Sequence, residues 1–436
     1  MTDTPAAPSR LVAALAARNI HYGWVVVAVT FLTMLATAGA LGSAGVMIDP
    51  LQREFGWSTA EISSAFAIRL ALFGLMGPFA AAFMNRFGVR PVILTALALL
   101  VATFAASLAM TTLWQFRLLW GVAAGIATGM TALVLGATVA TRWFVARRGL
   151  VVGLFAASSA SGQLIFLPIL AALATAYGWR AAILLMIGLL AAAFVLVALA
   201  MRDDPEDVGL APFGATARVA RVASGQGLAA LLWTPVGTLL SVSRSNTFWV
   251  LALTFFVCGL STNGLIQTHW ISLCGDFGMV PVTAAGILAV IGLFDLVGTV
   301  ASGWLSDRYD NRWLLFWYYG LRGLSLLFLP SSDFSLVALS VFGIFYGLDW
   351  VATVPPTVKL AADRFGAARA GLVFGWVFAA HQLGAAVAAF GAGATRTEFQ
   401  TYLPALYVAG AFCLVAAVLC ITLSKPGGAT AAPARA

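Results

Sequence analysis

Asn85-Arg86-Phe87-Gly88-Val89-Arg90 and Gly303-Trp304-Leu305-Ser306-Asp307-Arg308 are two short basic stretches, and Arg86 and Arg308 stand 222 positions apart. Each follows the second long apolar run of its half of the chain, and the later copy continues to Arg312. A polar loop recurring at the same place in two series of apolar runs is the mark of an internal repeat, and the rest of the sequence can be measured against it.

Working outward from these loops, twelve runs are long and apolar enough to cross a bilayer, which takes about 20 residues each. They cover 24–46, 62–84, 91–110, 114–138, 149–173, 180–200, 248–274, 283–305, 313–330, 334–358, 369–393 and 401–423. The composition agrees, with 61% hydrophobic and 9% charged residues and a mean hydropathy of +0.97. Soluble domains carry about a quarter charged residues, and disordered chains are poor in apolar ones, so both classes are excluded. Barrel strands would show as short alternating segments, so the runs read as helices. The one long polar stretch, 201–246, is too long for a connection within a compact bundle. Inside it, Leu228 to Arg244 has the look of a surface helix, weakened by Pro235. The expected fold is an all-α integral membrane protein with twelve transmembrane helices in two pseudo-symmetric six-helix bundles. Its parts are an N-terminal bundle (1–200), a cytoplasmic linker (201–246), a C-terminal bundle (247–425) and a short tail (426–436). Six-helix repeats of this kind recur in secondary transporters, whose sites lie near mid-membrane between the repeats.

The net charge of +8 would suggest nucleic acid in a soluble protein, but here the basic residues sit in the gaps between spans. With both ends placed in the cytoplasm, 18 of the 24 basic residues fall on the inner side and only Arg53, Arg180 and Arg396 outside. That asymmetry fits the positive-inside rule and predicts an inner-membrane protein with cytoplasmic termini. Met1 to Asn19 lacks the regions of a secretory signal and reads as a cytoplasmic lead-in. Cys258, Cys274, Cys413 and Cys420 show no metal-ligand or disulfide spacing and read as small apolar residues. There is no Walker A, HExxH or GxSxG signature with a plausible triad, so neither an enzyme nor an ATP-driven pump is expected, and no cofactor.

The chain resembles the major facilitator superfamily along its whole length, through the G-x-x-x-D-R pattern of Gly303, Asp307, Arg308 and Arg312. The first copy departs from it, with Ala81 and Asn85 at the glycine and acid positions, but keeps Arg86, Gly88 and Arg90. Tyr22-Gly23-Trp24 and Gly292-Leu293-Phe294-Asp295 are most similar to the monocarboxylate and oxalate–formate branch. The resemblance implies a fold that rocks about a central cavity lined mainly by spans 1, 4, 7 and 10. It also casts the loops at Asn85, Arg86, Arg90, Gly303, Asp307, Arg308 and Arg312 as gates, with a carboxylate such as Asp307 tied to backbone amides or to Arg308 across the seam. The branch's arginine four residues after the span-8 Asp is Thr299 here, its first-span lysine falls in Leu41-Gly42-Ser43, and the oxalate exchangers' span-11 lysine has no counterpart. Whether Arg322 replaces that arginine is left open by the sequence.

Ionisable groups inside spans cost at least ~2.5 kcal/mol each at a helix centre, so they are the candidates for function. Asp295 and Arg322 both lie about 15 Å deep on adjacent spans, which favours an ion pair over a proton-coupling or substrate role. Asp349 shares a helical face with Tyr346 and Thr353. Shielded from water it would have the chemistry of a proton carrier; the alternative is a pair with Arg322. Arg69 has no obvious acid and is a candidate for anion contact, whereas Arg117, one turn into its helix, is expected to snorkel outward. Asn263 and Gln267 share a face of span 7 and suit either substrate contact or interhelical bonding, and His381 is a possible titrating group or a packing residue. Gly121, Gly125 and Gly129 are read as a close-packing face.

The expected function is a secondary active transporter of a small, monocarboxylate-like organic anion, coupled to protons by symport or exchange. It would work as a monomer in the lipid bilayer without nucleic-acid partners. A proton-coupled drug or metabolite exporter is the alternative, although span five lacks the Gly-Pro pair of the antiporters. A non-transporting sensor on the same fold is the remote one.

Overall fold

The computed structural model describes residues 17–18, 20–215 and 228–423. Most of the N-terminal lead-in, linker residues 216–227 and the tail 426–436 lie outside the described residues. The twelve expected spans are all helical. We label them α1 (Gly23–Gly42, continued after Ser43 by Ala44–Phe55), α2 (Thr59–Phe87), α3 (Val89–Ser107), α4 (Leu113–Trp143), α5 (Arg148–Tyr177) and α6 (Trp179–Ala200). The second six are α7 (Asn246–Asp276), α8 (Pro281–Ser306), α9 (Asn311–Phe328), α10 (Leu336–Phe365), α11 (Ala367–Phe399) and α12 (Leu403–Ile421). Among the described residues, ten helices are long and apolar enough to cross a membrane on length and composition. The other two are α5, whose apolar stretches are Arg148–Ser159 and Ile165–Tyr177, and α9, which carries Arg312 and Arg322.

Local chemistry sets the ends. Ser58 and Glu61 form a capping box at the start of α2, and Thr112 and Gln115 form one at α4. Gly88 joins α2 to α3 at φ +94°, a backbone angle that only glycine adopts readily. Helix boundaries depart from the apolar runs chiefly where amphipathic turns extend them: α1 runs on to Phe55, α10 to Phe365 and α11 to Phe399. The linker helix forms at Leu228–Val242 with Pro235 inside it, and the Pro235 carbonyl accepts a hydrogen bond from Trp376 Nε1 at 2.8 Å.

Small residues bring helices together, as lipid-embedded packing requires. A Cβ at Gly125 would come 2.9 Å from the Arg69 carbonyl oxygen, and one at Gly129 would come 2.6 Å from Met76 Cβ, so α4 lies against α2 as expected. Gly121 sits in a π-helical turn, Arg117–Ala123, yet still faces α2 through Ile68. The two halves meet along α2 and α11, where Gly393 faces Ser63, Gly74 faces Gln382 and Gly375 faces Pro78. They also meet along α5 and α8. At the end opposite the two basic loops, α1 closes on α7. Gly45 lies against the Gln267 and Thr268 carbonyls, and Ser272 Oγ donates to Asp49 Oδ1 at 2.6 Å. The Ala60 amide donates to Thr397 Oγ1 at the same end. Among the described residues these are the two side-chain hydrogen bonds joining 20–200 to 246–423.

Candidate functional site

α10 is interrupted between its two helical pieces, Leu336–Asp349 and Val354–Phe365, and the residues between them leave backbone groups without intrahelical partners. Buried side chains take them up. Arg322 Nη2 donates to the Asp349 and Trp350 carbonyls at 2.5 and 3.1 Å, and Asp295 Oδ1 accepts the Val351 amide at 2.9 Å. Ser302 Oγ donates to the Ala352 carbonyl. Gly298 and Gly347 allow this by bringing α8 and α10 into backbone contact.

The ion pair in this cluster is Arg322 with Asp349, Nε to Oδ2 at 2.7 Å, with the arginine 1% exposed. That corrects the pair expected between Arg322 and Asp295. Equal depth on adjacent helices was not enough, because the unwound turn of α10 swings the Asp349 carboxylate and its own carbonyl together onto the guanidinium. Asp295 receives only neutral donors, Thr299 Oγ1 at 3.0 Å and the Val351 amide. Thr299 therefore stands as a hydrogen-bond donor to Asp295 where the resembled branch has its arginine. Arg322 Nη1 also reaches Cys258 Sγ at 2.9 Å, and that sulfur lies 3.4 Å from Thr353 Oγ1. Cys258, read from sequence as a small apolar residue, is thus a member of the polar cluster, and nothing in its spacing signalled this.

Tyr346, Asp349 and Thr353 do join this cluster, but not as one cavity-facing stripe. The interruption after Asp349 breaks the helical face; Tyr346 donates to the Ser261 carbonyl at 2.8 Å and Thr353 turns to Cys258. Asn263 and Gln267 fall within a π-helical turn, Leu260–Gln267, where the four-residue spacing still keeps them on one side of the helix. Asn263 Oδ1 accepts from Thr262, while Gln267 Oε1 is buried without a partner. His381 stacks on Phe378 and lies against Phe255, with Nδ1 unpartnered. His269, beyond Gln267, is tied to the Ala389 carbonyl and Tyr402.

In the N-terminal half Arg69 is 2% exposed and has no carboxylate. It donates to the carbonyls of Ala40 (3.3 Å) and Leu41 (2.8 Å), under the rings of Phe66 and Trp120. Arg117 does not simply snorkel: its Nε donates to Ser64 Oγ on α2 at 2.8 Å.

Several of the loop residues tie within their own halves. Lys359 bonds Asp307 (3.1 Å) and the Ser306 carbonyl, Arg308 folds over Trp304, and Arg312 pairs with Asp310 and reaches the Leu423 carbonyl. Asp307, its side chain 75% accessible, pairs with Lys359, while Arg308 turns to Trp304. In the other half Arg142 bridges Asn85 and Asp204, the Arg90 amide donates to Asp203 Oδ1 at 2.7 Å, and Arg90 Nη2 to the Ala198 carbonyl. Arg86 lies over Phe87. Asp203 and Asp204, missed as site residues, supply the acid that Asn85 lacks; the acidic run directly after span six was the available signal. Gly303, the glycine of the G-x-x-x-D-R pattern, meets nothing within 4 Å of an added Cβ. Among the described residues no cluster of His, Cys, Asp and Glu could hold a metal.

This arrangement of two basic loops on a twelve-helix body matches a known sequence profile. The Major Facilitator Superfamily profile aligns with residues 27–389, and a second match covers 273–436. The chain belongs to the Major Facilitator Superfamily. Monocarboxylate transporter 13 of Bos taurus is 29% identical over 418 residues, covering 92% of this chain and 89% of that protein. A Bacillus subtilis (strain 168) protein described as the MFS-type transporter YcxA is 23% identical over 403 residues, covering 91% and 94%. The crystal structure of a mutant of the nucleoside transporter NupG superposes with a TM-score of 0.73 at 10% identity, over 92% of this chain and all of that one, which shows the shared fold. This superfamily member is a multi-pass membrane protein and a transporter by family.

Proposed function

We propose that this protein is a secondary active transporter, not an enzyme, which moves a small monocarboxylate-like organic anion by alternating access, with a proton carried in symport or exchange. The observation that carries the reading is the charge count around α10. Two carboxylates, Asp295 and Asp349, lie beside one guanidinium, and Arg322 makes its ion pair with Asp349 and none with Asp295. An uncompensated charge in hydrocarbon is costly, and a proton on Asp295 removes it. Thr299 and the Val351 amide both donate to Oδ1, leaving Oδ2 for that proton. The coupling role expected for Asp349 therefore moves to Asp295.

The similarity to monocarboxylate transporter 13 supports a monocarboxylate as the substrate class. The distribution of basic residues supports both termini in the cytoplasm and an inner, plasma membrane location. On that orientation the closed α1–α7 end faces outward. Uptake of a labelled panel of small acids into proteoliposomes under an imposed pH gradient tests the reading. Wild type accumulates at least one acid, while Asp295→Asn loses gradient-driven accumulation but keeps acid-for-acid exchange. Normal accumulation by Asp295→Asn ends the coupling assignment; no transported acid ends the substrate class.

A further inference from the structure

Arg69 is the buried charge that the coupling cluster does not use. α1 breaks at Ser43, and Arg69 donates to the carbonyls of Ala40 and Leu41, the last turn before the break. Such carbonyls lose their amide partners at the break, so the guanidinium meets both, beside the Ser43 hydroxyl that also donates to the Ala40 carbonyl. Arg322 does the same at the interruption of α10, but with Asp349 bound as well. Arg69 has no such acid, and its Nε is buried without any partner. The indole Nε1 of Trp120, whose ring lies 5.9 Å from the guanidinium, is a second buried donor without an acceptor.

Beyond Ser43 runs the outer arm of α1, Ala44–Phe55, about 18 Å long at 1.5 Å per residue. This arm closes on the other half through Gly45 against the Gln267 and Thr268 carbonyls and through the hydrogen bond between Asp49 and Ser272. The same arginine thus holds the root of the arm that seals the outer end.

Resting on the anion-transport reading above, we propose that Arg69 binds the substrate carboxylate, and that doing so releases the outer arm of α1. A carboxylate approaching side-on takes Nε and Nη2 together as a bidentate pair. Nε is unpartnered, and Nη2 is held only by the Leu41 carbonyl, a neutral acceptor that a carboxylate displaces. The rings of Phe66 and Trp120 form the apolar wall beside the guanidinium, which fits a single carboxylate on a small apolar body better than a polar or dicarboxylic ligand. Once Leu41 is released, the break at Ser43 loses its clamp and the arm is able to swing away from α7. Substrate binding and outer-gate release are then one event at one side chain, which gives the ligand the differential interaction with two states that a conformational shift requires.

The test uses the full chain carrying spin labels at Arg53→Cys on the arm and Glu398→Cys at the end of α11, both exposed, with the four native cysteines buried. Pulsed electron resonance measures the distance between them, and equilibrium binding of labelled L-lactate, pyruvate and benzoate is measured on the same samples. In wild type the transported acid lengthens and broadens the distance distribution. In Arg69→Gln the long distances are present without acid, and acid affinity falls at least tenfold with no further distance change. Arg69→Lys, which keeps the charge, keeps the variant set informative should Arg69→Gln not fold. Its single ammonium cannot make the bidentate pair, so affinity falls about three- to tenfold and the arm is partly released. A variant that binds acid like wild type with unchanged distances overturns the proposal. If wild type binds none of the acids while Arg69→Gln still frees the arm, the substrate class falls and the clamp stands. If acids bind and depend on Arg69 but the arm stays closed, the coupling of the two is refuted.

Discussion

Arg322→Gln strikes the cluster at its strongest bond. It removes the 2.7 Å pair with Asp349 and the donors to the Asp349 and Trp350 carbonyls, leaving a carboxylate in the interior without its counter-charge. Breaking a buried pair by removing one partner costs about 3–5 kcal/mol, because the remaining charge stays desolvated. With an unfolding entropy of ~2 cal/mol/K per residue over 436 residues, the entropy is ~0.9 kcal/mol/K and the loss amounts to about 3–5 °C in Tm. Asp349→Asn leaves Arg322 its carbonyl acceptors and costs less. The double variant is expected to recover much of the loss, since no lone charge remains, and a double-mutant cycle gives a coupling of about 2 kcal/mol or more. Thermal unfolding in detergent, followed by loss of the monodisperse peak in size-exclusion chromatography, measures all four proteins. The cycle of Arg322→Gln with Asp295→Asn is expected to give less than half that coupling, and reversing the charges of Asp295 and Arg322 together does not rescue either single variant. Additive losses at Arg322 and Asp349, or a larger coupling to Asp295, would refute the pairing.

Three further perturbations probe the packing and the ends. Gly125→Ala puts a methyl 2.9 Å from the Arg69 carbonyl, backbone that cannot yield cheaply, and is expected to destabilise by about 1–3 kcal/mol in the same thermal assay, whereas Gly303→Ala, with open space around it, is expected to be nearly neutral. Asp203→Ala removes the acceptor of the Arg90 amide at the start of α3 and is expected to cost about 1 kcal/mol, as a lost helix cap does, with faster hydrogen exchange over residues 89–93 as the readout. Gly45→Leu forces α1 off the Gln267 and Thr268 carbonyls, so Ser272→Cys in that background reacts faster with a membrane-impermeant thiol reagent than in the parent; equal rates would show that the α1–α7 contact does not seal this end.

The sequence carried the spans and the repeat because both rest on long-range averages. Apolar runs of about 20 residues and a loop signature repeated after 222 positions survive any local irregularity. Pair identities did not survive it. The reading of Tyr346, Asp349 and Thr353 as one face assumed an unbroken α-helix, and α10 is unwound at 350–353. Asp203 and Asp204 were read as the start of the long polar linker, 201–246, but they fold back onto Arg90 and Arg142.

Those irregularities explain where the buried charges sit. An uninterrupted helix satisfies its own backbone and has no use for a guanidinium in its interior, whereas a break exposes carbonyls that must be met within the protein. Arg69 meets those of α1 and Arg322 those of α10, on opposite halves and next to the arms that run to opposite ends. A break capped by a side chain from a neighbouring helix is a joint whose stiffness depends on that side chain's other partners. At α10 the other partner is Asp349, a fixed one, and the unpaired acid beside it is Asp295. At α1 there is none. The N-terminal joint is therefore the one a carboxylate ligand can loosen, and the C-terminal joint the one whose neighbouring acid a proton can neutralise. An anion and a proton would then act on two separate joints of one mechanism, which is what coupled transport requires of them.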